Sequence, residues 1–430
     1  MISSDEMSDV EFFDRMVTSN GLPRSYKCVY CRGSKMLCGK DRCPLMIKFY
    51  SQSKTVDILD TNDLQGCSPP AVFVGRYGYP KVDIGPMIPP FFGDTSEMDT
   101  PEMWLNKSIE DIVDFRFRLV RGKYRIDATN FKAGGRIVDK VQELALTKNP
   151  VEVEALFTKR PKGMVELDDD VQPFGPSARL EKFTAGNGRF EKYLERSFYD
   201  TDMKSVDAVV NAYRNGTLIS EIQKAFSVGT MGIEKNRRFV PTKWSITAVD
   251  DIIGKDLLST TKYNNTIDEF RVYEWNHLDN RWCILMMPCS WRFELIEAWY
   301  PNTSWNPYGN DIEIISDCEF FNGRKDYAHI GGCYYASRMA VNELLEEQNR
   351  TAGVVILREA HPGYIMPVGV WNVRENVRAA LKTRPFKCDT LEAAMKYVDA
   401  MMDIPRKTWI NNSGILRDFY RQRRIEDFLS

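Results

Sequence analysis

The chain is short of several things that would classify it at once. It has almost no net charge, since 58 Lys and Arg against 60 Asp and Glu leave a formal −2. Any nucleic-acid surface must therefore be a local patch rather than a field of the whole molecule. It has no apolar run long enough to cross a bilayer, the longest being stretches such as Val354 to Leu357 and Ile284 to Met287. Met1 to Val10 is acidic and lacks the apolar centre of a signal peptide, so a soluble protein of the cytoplasm or nucleoid is expected. Internal repeats and low-complexity tracts are absent, and so are a Walker loop, a dinucleotide fingerprint, HExxH and GxSxG. What remains is 430 residues with 43% apolar content, enough to build a buried core.

Ten cysteines are spread thinly over this length, but four crowd together as Cys28, Cys31, Cys38 and Cys43, a C-x2-C-x6-C-x4-C array. The first pair has the spacing that lets two thiolates reach one tetrahedral zinc from a tight turn, with Gly33 and Gly39 as bends. Four thiolates close the coordination sphere, so the expected zinc is structural; an iron-sulfur cluster and unrelated thiols are the alternatives. Seven basic residues against one acid, Asp41, lie between Arg24 and Lys48. Arg32, Lys35, Lys40 and Arg42 among them are candidate phosphate contacts.

Four regions follow from composition: an acidic leader (1–20), the four-cysteine module (21–50), a long body (51–411) and a tail (412–430). The body opens with Pro/Gly-punctuated short strands and turns. Helical spacing is expected over Ser108 to Phe117, Gly135 to Leu146, Val151 to Phe157, Lys204 to Arg214 and Leu218 to Phe226, as exposed amphipathic helices. Aromatic and β-branched runs from Asp268 to Phe320 suggest an antiparallel meander. Helix returns at Gly332 to Gln348, Arg374 to Lys382 and Leu391 to Met402, with a buried strand from Gly353 to Arg358. The expected class is α+β, an antiparallel sheet core with surrounding helices. In the tail, Ser413 can cap a short helix carrying Ile415, Leu416, Phe419 and Tyr420 on one side.

The last nine residues read Gln422 to Ser430, a glutamine with an aliphatic at plus three (Ile425), an aromatic at plus six (Phe428) and Leu429 after it. In a single 3₁₀ turn, residues three apart eclipse, so Ile425 and Phe428 would enter one pocket together. This pattern resembles the peptide by which polymerases, ligases and nucleases bind the replication sliding clamp (PCNA), with Leu429 where a second aromatic is usual. The bland alternative is a last turn packed on its own body, which Arg421, Arg423 and Arg424 make expensive.

Two body segments carry candidate chemistry. In KNRRFVPTKW, Arg237, Arg238 and Lys243 can hold phosphates while Phe239 or Trp244 stacks on a base; a surface strand with a core Trp is the competing reading. Asp250 and Asp251 follow, a pair that would suit a metal-dependent nuclease only if the backbone kinked, because neighbours point apart. After the expected strand at Val354 come Arg358, Glu359 and His361, one of three histidines. They form a candidate acid/base or phosphate site beside the alternative of a structural histidine. The turn from Asn322 to Gly332, with His329, could receive an anion at a helix start.

The four-cysteine array, RRFVPTKWSITAVDD, LREAHPGYIMPVGVW and the terminal QRRIEDFLS together resemble the archaeal Nre DNA-repair proteins over almost the whole chain. The resemblance implies a role in DNA-damage repair, a four-cysteine metal site that contacts DNA, clamp recruitment through the tail and other excision-repair proteins as partners. It assigns no chemistry to the body. Two functions compete: a non-catalytic factor that holds DNA while tied to the clamp, and a nuclease or DNA-modifying transferase using Asp250, Asp251, Arg358, Glu359 and His361. Convergence of these residues on one cleft would favour the enzyme.

Overall fold

The computed structural model describes isolated positions between 31 and 59, then residues 61–162, 174–306 and 309–421. The stretch expected as one body contains two compact units, residues 1–252 with 365–368, and residues 253–364 with 369–430.

The first unit is built on a sheet of β1 (Asp63–Ser68), β2 (Val72–Val74), β3 (Lys81–Ile88), β4 (Val120–Asp127), β5 (Val151–Phe157) and β6 (Ser177–Ala185). Their spatial order is β1-β5-β6-β4-β3-β2. All neighbours are antiparallel except β4 and β6. Helices α1 (Ile109–Arg118), α2 (Gly135–Leu146), α3 (Lys192–Tyr199), α4 (Ser205–Arg214) and α5 (Ile219–Ser227) accompany it. Ser108 caps α1 in a reciprocal box with Asp111, as S-x-x-D just before an apolar run encourages. Val138, Val141, Leu144 and Ala145 of α2 join the main core with strand residues such as Ile84 and Val153.

One expected helix is a strand. In V-E-V-E-A-L-F the side chains alternate strictly buried and exposed, a period of two that outweighs any helical spacing. A second correction concerns α5, expected as an exposed amphipathic helix. Its Glu221, Gln223 and Lys224 are all buried, and Lys224 reaches the Asp99 carbonyl at 3.1 Å. A third is α6 (Thr242–Thr261), a 20-residue helix in a stretch with no helical assignment from sequence. The boundary between the two units falls within it.

The second unit has the sheet β10-β9-β11-β8-β7-β12, from β7 (Phe270–His277), β8 (Asn280–Met287), β9 (Arg292–Trp299), β10 (Glu313–Glu319), β11 (Gly353–Ala360) and β12 (Phe386–Cys388). The expected meander is interrupted, because β11 lies between β8 and β9, parallel to β9 and antiparallel to β8. The core is therefore two mixed, mostly antiparallel sheets rather than one antiparallel sheet. Every residue of β11 is buried, as a central strand covered on both faces must be. Val354 and Ile356 face α7 (Gly332–Glu347) and α8 (Trp371–Leu381) through Tyr334, Val341 and Val377. Val355 and Leu357 face α9 (Leu391–Met401), α10 (Arg406–Asn412) and α11 (Gly414–Arg421) through Met395, Trp409, Ile415 and Leu416.

The short helix expected in the tail is α11, and the Ser413 hydroxyl accepts from the Leu416 amide at 2.8 Å. Through Ile415 and Leu416 it is part of the second unit's core. The expected clamp-binding residues, Gln422 to Ser430, lie outside the described residues.

Candidate nucleic-acid interface

Two aromatic side chains from distant parts of the first unit meet at its surface. Trp244 lies in the first turn of α6, where Pro241 accepts from the Trp244 amide at 2.8 Å and the Ser245 amide at 2.9 Å. Tyr79 lies in the turn between β2 and β3. The two elements are tied together, since the Val74 amide at the end of β2 donates to the Thr242 hydroxyl at 2.9 Å. Across this tie the Tyr79 and Trp244 rings approach to 5.2 Å between centroids, inclined at 56°. Both remain open to solvent, Trp244 at 47% and Tyr79 at 40%.

The turn itself is closed by the Gly75 amide on the Asp83 carbonyl at 2.7 Å and the Lys81 amide on the Gly78 carbonyl at 2.9 Å. Gly78 has φ +79°, and a Cβ there would come within 2.4 Å of the Arg125 guanidinium, so glycine serves both the turn and the close approach of that arginine. Tyr77, 73% exposed, is covered by Arg76 with its guanidinium carbon 5.2 Å from the ring centre. Arg76 and Lys81 at the turn, Arg125 of β4 and Lys243 of α6 are all exposed. Two carboxylates accompany them. Asp83 lies 3.4 Å from Arg125. Asp127 accepts from the Thr129 hydroxyl and amide, which hold it below the usual carboxylate range. Open rings beside cations are the elements of base stacking with phosphate neutralisation.

The sequence candidates divide on this geometry. Lys243 and Trp244 are at the face, and Arg238 is exposed. Arg237 is not available to phosphate: buried, it donates to the carbonyls of Gly232 (2.7 Å), Phe198 (2.7 Å), Ser197 (3.0 Å) and Asp200 (2.8 Å). Phe239, the other expected base stacker, is wholly buried in the core. Asp250 is wholly buried too and accepts from Gln223 at 2.9 Å, while Asp251 is half-buried. Lys35 and Arg42 are exposed, with Arg42 paired to Glu110. Cys31 is buried and Cys43 half-buried; Cys28, Cys38, Arg32 and Lys40 lie outside the described residues. Tyr77, Tyr79, Arg76 and Arg125 were missed. The first three lie in GRYGYPK, which reads as a turn, and Arg125 lies in β4; nothing local says that the turn lands beside Trp244.

The second sequence candidate resolves into two separate clusters, because neighbours on β11 face opposite sides of the sheet. Arg358 is enclosed: it donates to Glu297 at 2.7 Å and twice to the Asn280 side chain at 2.9 and 2.7 Å. The rings of Trp299, Trp282 and Tyr364 lie 4.8, 4.9 and 5.4 Å from its guanidinium carbon. Three of its five N–H groups are thus engaged, and burial beneath the three rings closes the guanidinium to a ligand from solvent. Glu359, on the other face, accepts from the amides of Ile404 (2.7 Å) and Asp403 (3.2 Å) and lies 3.2 Å from His361 Nε2. Tyr300 stacks on the His361 ring at 4.2 Å; burial, then the Glu359 charge, pushes its phenol up to about 12. Glu359, His361 and Asp403 each offer a ligand atom within 4.8 Å of the others, but Asp403 is already paired with Arg281. Asp250 and Asp251 belong to the first unit and these residues to the second. At the turn before α7, the anion received is the chain's own, the Ile330 amide donating to Asp317 at 2.8 Å.

Comparison with known proteins agrees with the resemblance. The family model for the archaeal Nre N-terminal region matches residues 37–306, and that for the archaeal Nre C-terminal region matches residues 319–428. The chain belongs to the archaeal Nre family. It is 40% identical to the DNA repair protein NreB of Archaeoglobus fulgidus over 94% of this chain and 100% of that protein. It is 36% identical to NreA of the same organism over 90% of this chain and 95% of that one. With the DNA repair protein NreA of Haloferax volcanii the identity is 30% over 86% and 91%. No solved structure matches this Nre protein.

Proposed function

We propose that this Nre protein is a DNA-damage repair factor that holds DNA on the Trp244 face of its first unit and is recruited to the replication sliding clamp through Gln422, Ile425, Phe428 and Leu429. Relatives along almost its whole length are named DNA repair proteins. The observation that carries the DNA contact is the open Tyr79 and Trp244 pair, on a turn and a helix that also carry the exposed Arg76, Lys81 and Lys243, in a chain whose overall charge is close to zero. A structural zinc on Cys28, Cys31, Cys38 and Cys43 belongs to the same proposal, as a second basic DNA contact.

The phosphate part is tested by DNA affinity against salt. Combined Arg76→Gln and Lys243→Gln should lower the slope of log K on log salt by about 1 for each lost phosphate contact; an unchanged slope removes this face from the reading. For the clamp, Phe428→Ala should cost at least about 2 kcal/mol of binding to purified clamp by calorimetry, as a buried aromatic anchor does. Equal affinity of the two proteins sinks the recruitment model. If Cys38→Ser keeps both the metal content and the salt slope, the zinc module is not a contact.

A second reading, a divalent-metal nuclease, rests on the proximity of Glu359, His361 and Asp403. It predicts Mn2+-dependent cleavage of labelled DNA that is lost in His361→Ala. Intact substrate at high protein concentration would leave these residues as the structural contacts described above.

A further inference from the structure

We infer that the Trp244 face recognises unpaired bases, so that its ligand is single-stranded DNA or the single-stranded part of a damaged or processed duplex. The inference rests on the DNA-holding role proposed above and specifies which form of DNA that face takes. In a duplex, base faces are hidden in the stack and present only edges, and Trp and Tyr offer little to edges or phosphates beyond one hydrogen bond. An aromatic ring left open beside cations matches the other form of DNA, in which each base exposes a π face and the phosphates run alongside.

The geometry favours stacking over incidental exposure in three respects. First, Trp244 and Tyr79 are positioned by hydrogen-bonded backbone, the helix turn after Pro241 and the closed β2–β3 turn, and these are joined through Thr242 and Val74. Little ordering entropy remains to be paid on binding. Second, the rings are inclined at 56° rather than stacked flat on each other, which leaves ring surface on both for a third planar group. Third, both elements that supply the rings also carry exposed cations: Arg76 and Lys81 at the β2–β3 turn, with Arg125 of β4 donating to the Tyr77 carbonyl at 3.5 Å, and Lys243 in the first turn of α6. A strand with a base against Trp244 has phosphates on either side of that base, and cations carried by both elements are available to neutralise them.

The test uses the full chain and two fluorescein-labelled probes of equal length, an oligo-dT and a blunt duplex, with binding followed by anisotropy at fixed salt. The wild type should prefer oligo-dT. Trp244→Ala should weaken oligo-dT binding at least about tenfold, the range for losing one stacked base, while changing duplex affinity less than about twofold. Trp244→Phe should recover most of the loss, which a purely structural role for the indole would not explain. Thermal melting of each variant keeps folding defects apart from binding. If Trp244→Ala folds normally and binds oligo-dT as the wild type does, the stacking inference is wrong and the rings serve another contact, such as a protein partner. If the variant loses oligo-dT and duplex in equal measure, the face binds DNA without reading unpaired bases, and only the inference fails. A wild type that binds neither probe overturns the DNA-holding role as well.

Discussion

Each unit brings arginine and aromatic rings together, and the two arrangements have opposite consequences. In the second unit Arg358 sits among Trp282, Trp299 and Tyr364 with its donors on Glu297 and Asn280. In the first, Arg76 covers Tyr77 and Trp244 leans on Tyr79 in contact with water. The residue types are nearly the same. What separates a brace from a binding face is whether the groups are already satisfied and shielded, and sequence reasoning placed Arg358 and Arg237 among functional candidates because it could not see their partners.

The sharpest way to break the comparison is to remove Arg358. Arg358→Ala leaves Glu297 buried without its cation and should cost about 3–5 kcal/mol of stability in chemical denaturation. A loss below about 1 kcal/mol would mean that the guanidinium is not a brace and would return it to the list of candidate ligand groups. Leu416→Ala probes the edge of the second unit's core: this fully buried side chain should cost about 3 kcal/mol. An unaffected melting curve would take α11 out of that core.

Within the first unit, Ser108→Ala should cost about 1 kcal/mol by removing the cap of α1. The bonds from the Ser108 hydroxyl and amide hold the Asp111 carboxyl below the usual range. Its contribution to stability is therefore present above the unfolded carboxyl pKa and disappears as pH falls through the lower folded value. The difference between wild type and Ser108→Ala should accordingly shrink in acid, below about pH 4; a cost that grows there would contradict the capping box. The smallest expected effect completes the contrast with Arg358. Trp244→Ala should change stability by no more than about 0.5–1 kcal/mol, as an exposed side chain does, although it removes much of the affinity for single strands.

Local signals were read well where they depend on near neighbours. Helical spacing from Ser108 announces α1, Ser413 announces the cap of α11, and the continuous apolar run from Val354 announces a buried strand. Reading failed where spacing was judged without strict counting, as at Val151–Phe157, and where a functional-looking cluster spanned adjacent positions of a strand. Arg358 and Glu359 are neighbours in sequence, but the pleat sends them to opposite layers.

By itself the sequence determined the family, the α+β class, the cysteine spacing and the clamp-like terminal peptide, because each is written in contiguous residues or in a short period. Only the tertiary structure decided that β11 divides the meander, that Arg237 and Arg358 are internal braces, and that Tyr79 meets Trp244 some 165 positions away. Those outcomes depend on which distant backbone or side chain satisfies a given group, and no local pattern records the partner.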